Sequence, residues 1–502
     1  MNRKKCLALL TCALMVAGSL AGCGSGDSGT QTSETSTPEP APVEEASDDT
    51  ADIADAEGSA DAAEDSTGAA EGGSEVISDV TATLRMYGPG LFTDVGPDGT
   101  TDMITGATRP GYNVVVDRWH ELYPNVELVI ETIPWDNWKA AIQTAALSGD
   151  YDILVHGNGN ADYSEDLTEY INNDPEVKEA LTFYPLRRNP DDMTQNLPYG
   201  LSLTVNPVLC VIDKQILEDY GVDLPDSSWT FDDMKKIAEA CTGTDPVTGK
   251  QTYGISMIKA SDAQKDFIIV GRGFDDEVFE YAPKITDCKV HFDTEKTQEV
   301  FDYMADLHQY SSPDYLEGLD LGNLYTEDHD IAMVWIENVF NAYNTIKMAG
   351  LEDRFMFLTM PQVIDGPHKG LTSSNMGDWN ISMYKDGEQK ELVWDFFHFL
   401  ITDPVVQQWY IDTNSIPANV EASKQIYDVM PPAYADAILE AIESNPEDFN
   451  SSSSIWYESS RFGTFQSDLI SGFDQLLQGN ITSAEMTKSI QETVDQYLET
   501  LE

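Results

Sequence analysis

Between residues 81 and 155 the chain switches repeatedly between two hydrophobic periods, and no other feature limits its possible architectures as much. "TATLRMYG" (81–88) reads as a strand ending in a glycine turn. After a glycine-rich loop, Val115, Trp119 and Leu122 share a helical face that must end at Pro124. "NVELVIETI" (125–133) is a second strand, and "WKAAIQTAALSG" (138–149) is a helix with Trp138, Ala141, Ile142 and Ala145 on one side and Gly149 as its stop. "YDILVHG" (151–157) is a third strand. Strand, helix, strand, helix, strand predicts a parallel sheet with crossover helices, hence an α/β fold.

The same alternation returns further along. "GLSLTVNPVLCVID" (200–213) is extended and apolar, and "WTFDDMKKIAEACTG" (229–243) is a helix opened by Thr230 with Asp233 as capping partner. Cys241 falls in line with Met234, Ile237 and Ala238, which predicts a small core residue. Helices are expected around Val300, Phe301, Met304 and Leu307, and around Val393, Phe396, Phe397 and Leu400. The tail carries a stripe of Met486, Ile490, Val494, Tyr497 and Leu501. Beyond Cys23 only Cys210, Cys241 and Cys288 remain, too few and too scattered for a disulfide framework or a metal cluster.

Ahead of this folded part, residues 1–22 have the layout of a secretory signal: Arg3, Lys4 and Lys5, an apolar run from Cys6 to Val16, then small residues. Leu20, Ala21, Gly22 and Cys23 resemble a bacterial lipobox, which implies lipidation of Cys23 and membrane attachment through acyl chains alone. Residues 24–79 contain no Lys or Arg and almost no large apolar side chain, so they are expected to be a disordered acidic spacer spanning on the order of 40 Å. The chain has 88 acidic and 28 basic residues, of which 16 acidic ones lie in the spacer and 3 basic ones before Cys23; residues 80–502 therefore keep 72 acidic against 25 basic. A field of that sign disfavours nucleic acid and anionic membrane surfaces as partners.

An ordered set of motifs in residues 81–502 carries a family resemblance. "YPNVELVIETIPWDNWKAAIQTAALSGDYDIL", "VIDKQILEDYGVDLPDSSWTFDDMKKIAEACTG", "DHDIAMVWIENVF" and "WDFFHFLITDPVVQQWYIDTNSIPAN" follow one another as in the extracellular solute-binding lipoproteins that serve ABC importers, a group containing many sugar receptors. Ile212-Asp213-Lys214, the Asp330-Ile331 entry and a long first loop from Phe92 to Gly111 depart from the usual pattern. The resemblance implies a two-lobed fold with interleaved lobes, hinge strands and a helical C-terminal tail. Lobe one is expected at about 80–200 plus 330–376, lobe two at about 205–328 plus 380–502, with bending near Leu201–Val205, Asp330–Val334 and Gly377–Ser382. It further implies a monomer on the extracytoplasmic face of the cell membrane, with a small-molecule ligand and ABC permease subunits as partners.

In such a fold ligand chemistry sits where loops leave strand ends. That position selects Tyr87; His156 and Asn158; Trp335 and Glu337; Asp378 and Trp379; and Trp456, Tyr457 and Arg461. The expected ligand contacts are Tyr87, Asn158, Trp335, Glu337, Asp378, Trp379, Trp456 and Arg461, groups that pair a flat ring with a hydrogen-bonding side chain. Sugars need that pairing, with C–H faces on rings and hydroxyls on polar groups. An organic cation such as a polyamine would suit the same groups, and Arg461 could hold an anion. Trp119, Trp138, Trp394 and Trp409 read as packing residues, and Trp135 fits either role.

A lipid-anchored glycoside hydrolase is the competing class, since an acidic chain always offers carboxylate pairs. There is no G-x-S-x-G elbow and no H-E-x-x-H pair. Asp94, Asp98 and Asp102 lack the closing Glu of a known calcium motif and are expected in a solvated loop. No catalytic residue, cofactor or metal is expected.

Overall fold

A computed structural model describes residues 79–501 except 103–105, 135–137, 156–160, 182–183, 259–262, 314–323, 375 and 445–464. The leader, Cys23, the spacer up to residue 78, Trp135, His156, Asn158, Trp456, Tyr457 and Arg461 lie outside the described residues.

The opening alternation forms β1 (Ala82–Gly88), α1 (Asn113–Leu122), β2 (Val126–Thr132), α2 (Trp138–Ser148) and β3 (Ile153–Val155). β1 runs parallel to both other strands, with Ala82 opposite Val126 and Met86 opposite Ile153. Its inward residues Leu84 and Met86 join Val115 and Trp119 of α1 in one core. Trp119 stacks on Tyr123 with centroids 3.9 Å apart and meets Phe396 edge-on at 5.0 Å.

β4 (Leu201–Pro207) then runs through Val208 directly into β5 (Leu209–Asp213) and α3 (Lys214–Tyr220). The helices α4 (Phe231–Ala240), α5 (Ala263–Gly273) and α6 (Glu295–His308) follow, then β6 (Met333–Ile336), α7 (Val339–Ala349) and β7 (Phe355–Thr359). The chain continues with β8 (Met376–Met383), α8 (Lys390–Thr402), α9 (Pro404–Asp412), β9 (Ile416–Pro417) and α10 (Pro432–Glu443), and ends in α11 (Phe465–Leu477) and α12 (Ser483–Glu499). The expected capping box is present. Thr230 Oγ1 accepts from the Asp233 N–H at 3.3 Å, while Asp233 Oδ2 accepts from the Thr230 hydroxyl at 2.7 Å and from the Thr230 N–H at 3.1 Å; these two bonds to the carboxylate, the hydroxyl's first, hold the Asp233 carboxyl below its usual range. Cys241 is buried among Met234, Ile237 and Ala238, and Cys210 and Cys288 are buried and unbridged as well.

Two sheets organise two lobes. The larger has the order β9-β4-β8-β3-β1-β2, the smaller β6-β5-β7. Both outer strands of the small sheet are antiparallel to β5, Met333 pairing with Ile212 and Phe355 with Asp213. Its side chains divide by the period of two. Leu209, Val211, Val334 and Phe357 face the first core, while Cys210, Ile212, Met333 and Leu358 enter the second with Phe267, Phe301, Phe473 and Ile490. Tyr434 of α10 helps join the sheets, meeting Phe357 edge-on at 4.7 Å and donating to the Phe355 carbonyl at 3.0 Å.

β6 and β7 pair with β5, and β8 returns to the large sheet. Described side chains of α7 and of α8 to α10 are buried in the first core, and those of α11 and α12 in the second. Leu201–Val205 and Gly377–Ser382 lie inside the large sheet and Met333 and Val334 inside the small one, and the chain passes from one sheet to the other at Val208 and again between β7 and β8. Strands buried on both faces read as continuous apolar runs, and such runs carry no signal for which sheet they join.

In the loop holding Asp94, Asp98 and Asp102, the described carboxylates have protein partners. Asp102 is paired with Arg109 and accepts from Asn414 at 3.2 Å, and Asp98 accepts from Asn113 at 3.3 Å. Among the described residues, no helix is long and apolar enough to cross a membrane.

Candidate ligand cleft

Strand direction determines where the candidate residues meet. β1 and β3 are parallel and end at Gly88 and Val155, which marks the carboxyl edge of the large sheet. β8 is antiparallel to β3 with Ile381 opposite Val155, so its earlier residues Gly377, Asp378 and Trp379 extend past that edge. β4 also runs outward there, and one residue later the small sheet begins with Leu209, opposite Ile336 and Thr359, the last residues of β6 and β7. The loop ends of both sheets are thereby brought to the same junction, where a cleft between lobes belongs.

Trp379 sits at this edge, partly buried against the first core. The pairing slips between Trp379 and Asn380, leaving Leu203 of β4 unopposed, and a bulge of this kind re-aims the side chain beside it. The indole lies over Gly90, which has φ 123 in the turn after β1, and a Cβ there would overlap the six-membered ring. Gly90 thus fits the indole both by conformation and by lacking a side chain.

Tyr87, next to last in β1, is half-buried, and its ring centroid is 4.6 Å from that of Tyr151. The Tyr151 hydroxyl donates to Glu131 at 2.8 Å; partial burial and this carboxylate push its pKa up to about 12, so it remains a donor at neutral pH. On lobe two, Glu337 follows β6 directly, and its carboxylate meets the Lys265 ammonium of α5 at 2.6 Å. Asn338 beside it caps α7, accepting from the Asn341 N–H at 3.0 Å.

Trp335 is placed otherwise than expected. Only 3% exposed, it belongs to the second core, and its Nε1–H has no acceptor among the described residues. It presents no ring face to a ligand, because in a four-residue strand buried at every position the outward residues are covered by a second layer. Asp378 lies on β8 at the junction by its backbone position. The structure thus gathers Tyr87 and Trp379 at one edge and Glu337 at the edge adjoining it, and removes Trp335 to the interior.

Two partners escaped the sequence reading. Tyr151 stands ahead of β3, where only the register of β1 against β3 brings it to Tyr87. Lys265 has no periodic or motif signal linking it to Glu337, 72 positions away in sequence.

Comparison with known proteins bears on the fold and the family. A profile described as "bacterial extracellular solute-binding protein" matches residues 105–407. Among solved structures, the sugar-binding protein MalE of Xanthomonas citri is similar at 15% identity and TM-score 0.63, covering 84% of this chain and 98% of that one. A sugar transporter from Rhizobium etli, in an open conformation, is similar at 16% identity and TM-score 0.58, with 82% and 99% covered. An ABC substrate-binding protein from Listeria monocytogenes, solved with cycloalternan, is similar at 16% identity and TM-score 0.54, with 84% and 100% covered. No curated protein matches by sequence. With the family profile spanning more than half of the sequence and the two-lobed fold shared with these structures, the chain belongs to the bacterial extracellular solute-binding proteins.

Proposed function

We propose that the chain is a lipid-anchored receptor that captures a neutral mono- or oligosaccharide between its lobes and passes it unaltered to an ABC permease. The observation that carries this reading is the indole of Trp379, seated on Gly90 and partly open at the carboxyl edge of lobe one, beside the edge where Glu337 and Lys265 leave lobe two. A sugar's C–H face stacks on an indole, while a carboxylate and an ammonium take and give hydrogen bonds to its hydroxyls. Because each lobe holds part of the contact set, a ligand that reaches both shifts the populations of open and closed forms. The sugars named for the similar solved structures, cycloalternan among them, support the ligand class. Tyr87, Asp378 and Trp379 on lobe one and Glu337 on lobe two are the proposed contacts among the described residues, with Asn158, Trp456 and Arg461 completing the set.

Calorimetric titration against malto-oligosaccharides, cyclic glucans and spermidine tests the reading. One-to-one binding of a saccharide recovered intact is expected. Spermidine binding without saccharide binding would make the receptor one for organic cations, and release of shortened sugars would make it a hydrolase.

The lipid anchor has its own test. Cys23→Ala, expressed in a bacterium with lipoprotein processing, is expected to appear in the medium instead of the membrane fraction. Retention on the membrane by the variant would exclude Cys23 as the tether.

A further inference from the structure

Behind the junction, two turns of the chain meet with metal-binding side chains in place. Asp275 and Glu277 follow the end of α5, and His368 lies in the 360–375 connector that carries the chain from β7 back to β8. One donor atom from each of the three lies within 4.8 Å of the other two. The geometry points to a binding site for a divalent transition-metal ion, best matched by Zn²⁺, held by His368, Asp275 and Glu277.

Backbone bonds hold the two turns together. The Asp275 N–H donates to the Arg272 carbonyl at 3.0 Å, the Asp276 N–H to Gly271 at 2.8 Å, and the Ile364 N–H of the connector to Gly273 at 3.3 Å. The connector folds into its own turn, with Val363 and Leu371 joined at 2.8 Å and the Leu371 N–H donating to His368 at 3.0 Å. Donors preset in this way lose little freedom when an ion arrives.

Room for the Asp275 carboxylate is also built in. Asp275 takes the left-handed conformation, φ 55, uncommon for a residue with a side chain, and Gly366 lies against it with φ 72. A Cβ on Gly366 would overlap Asp275 Oδ2, so the carboxylate occupies a cradle that glycine leaves open. Lys296 donates to the Asp275 carbonyl at 2.5 Å, while Oδ1 of the carboxylate meets His368 Nδ1 at 3.3 Å. The side chains of His368 and Asp275 are 16% and 11% exposed, and Glu277 stands at the solvent side.

Imidazole and carboxylate are both zinc ligands, and three protein donors in a tetrahedral shell leave a fourth position to water. Calcium and magnesium prefer all-oxygen shells with more ligands, so the imidazole selects against them. The strongly acidic chain draws divalent cations in general, and the His368 nitrogen supplies the selectivity. An ion held here would clamp the end of α5 to a segment crossing between the lobes.

The test titrates ZnCl₂, CaCl₂ and MgCl₂ into the purified chain, with His368→Gln and Glu277→Gln alongside it. Wild type is expected to bind one more Zn²⁺ than the double variant, and each single variant to lose about tenfold or more in affinity for that ion. Calcium and magnesium are expected not to displace it. All variants should keep the wild-type circular dichroism and Tm in chelator, since neither substituted side chain lies in a core. Equal zinc stoichiometry and affinity in wild type and double variant would overturn the proposal, as would calcium displacing the ion at equal concentration.

Discussion

Trp379→Ala is expected to weaken saccharide binding by about 30- to 150-fold, equivalent to about 2–3 kcal/mol for the lost stacking area. Part of the indole is packed against the first core, so the same change also costs stability, and affinity must be measured well below the variant's Tm. Trp379→Phe separates the two effects, because a smaller ring preserves a stacking face and most of the packing; it should recover the larger part of the affinity. Gly90→Ala approaches the same ring from behind. Its Cβ would overlap the indole and its φ of 123 disfavours alanine, so the variant should displace Trp379 and lower affinity without touching the ligand. Wild-type affinity in Trp379→Ala would show that the ring only packs, and the proposed cleft would lose its central contact.

The elements themselves were legible because each left a periodic trace. Val115 and Trp119, Met234 and Ile237, and Met486, Ile490 and Val494 recur at helical spacing and are buried as that spacing requires. Thr230 and Asp233 announced a helix start and form it. Sheet membership was not legible. β4 and β5 form one run joined through Val208, yet they lie in different sheets, and β6 and β7 pair with β5 and not with the large sheet. Hydrogen-bond partners many residues apart decide this, and local pattern does not encode them.

The positions of the candidate residues were legible to the same degree. Tyr87 and Glu337 stand at the ends of β1 and β6, as the sequence predicts, whereas Trp379 stands within β8 beside its bulge. Trp335 was misplaced for a related reason. A tryptophan one residue from the end of a strand reads as exposed at the rim, but helices of the second core cover that face of the small sheet. Tyr151 and Lys265 were missed because their partners come from register and from helix packing, which only the folded chain supplies.

Arg354→Ala is expected to destabilise lobe two by about 3–5 kcal/mol, since it strands a buried carboxylate. Asp213, the last residue of β5, has no solvent exposure, and Arg354 grips both its oxygens, Nε at 3.1 and 2.9 Å and Nη2 at 2.7 Å. The same guanidinium donates to the carbonyls of Glu327 at 3.1 Å and His329 at 3.0 Å, fixing the approach to β6. Asp213 in turn caps α3, accepting from the Gln215 and Ile216 N–H groups at 3.0 and 3.2 Å. One side chain therefore joins the end of the central strand, a helix start and the segment leading to an outer strand. Arg354→Lys should recover little of the loss, because a point charge cannot reproduce the planar fork that meets two carboxylate oxygens and the carbonyls of Thr326, Glu327 and His329. Urea unfolding followed by circular dichroism is the measurement, with a lower midpoint expected for the transition of lobe two. Saturating saccharide should restore part of that midpoint in the variant, because binding across both lobes draws the population back to the folded form. A midpoint equal to wild type in Arg354→Ala would mean that water or another side chain satisfies Asp213, and the small sheet would then owe its stability to its apolar faces alone.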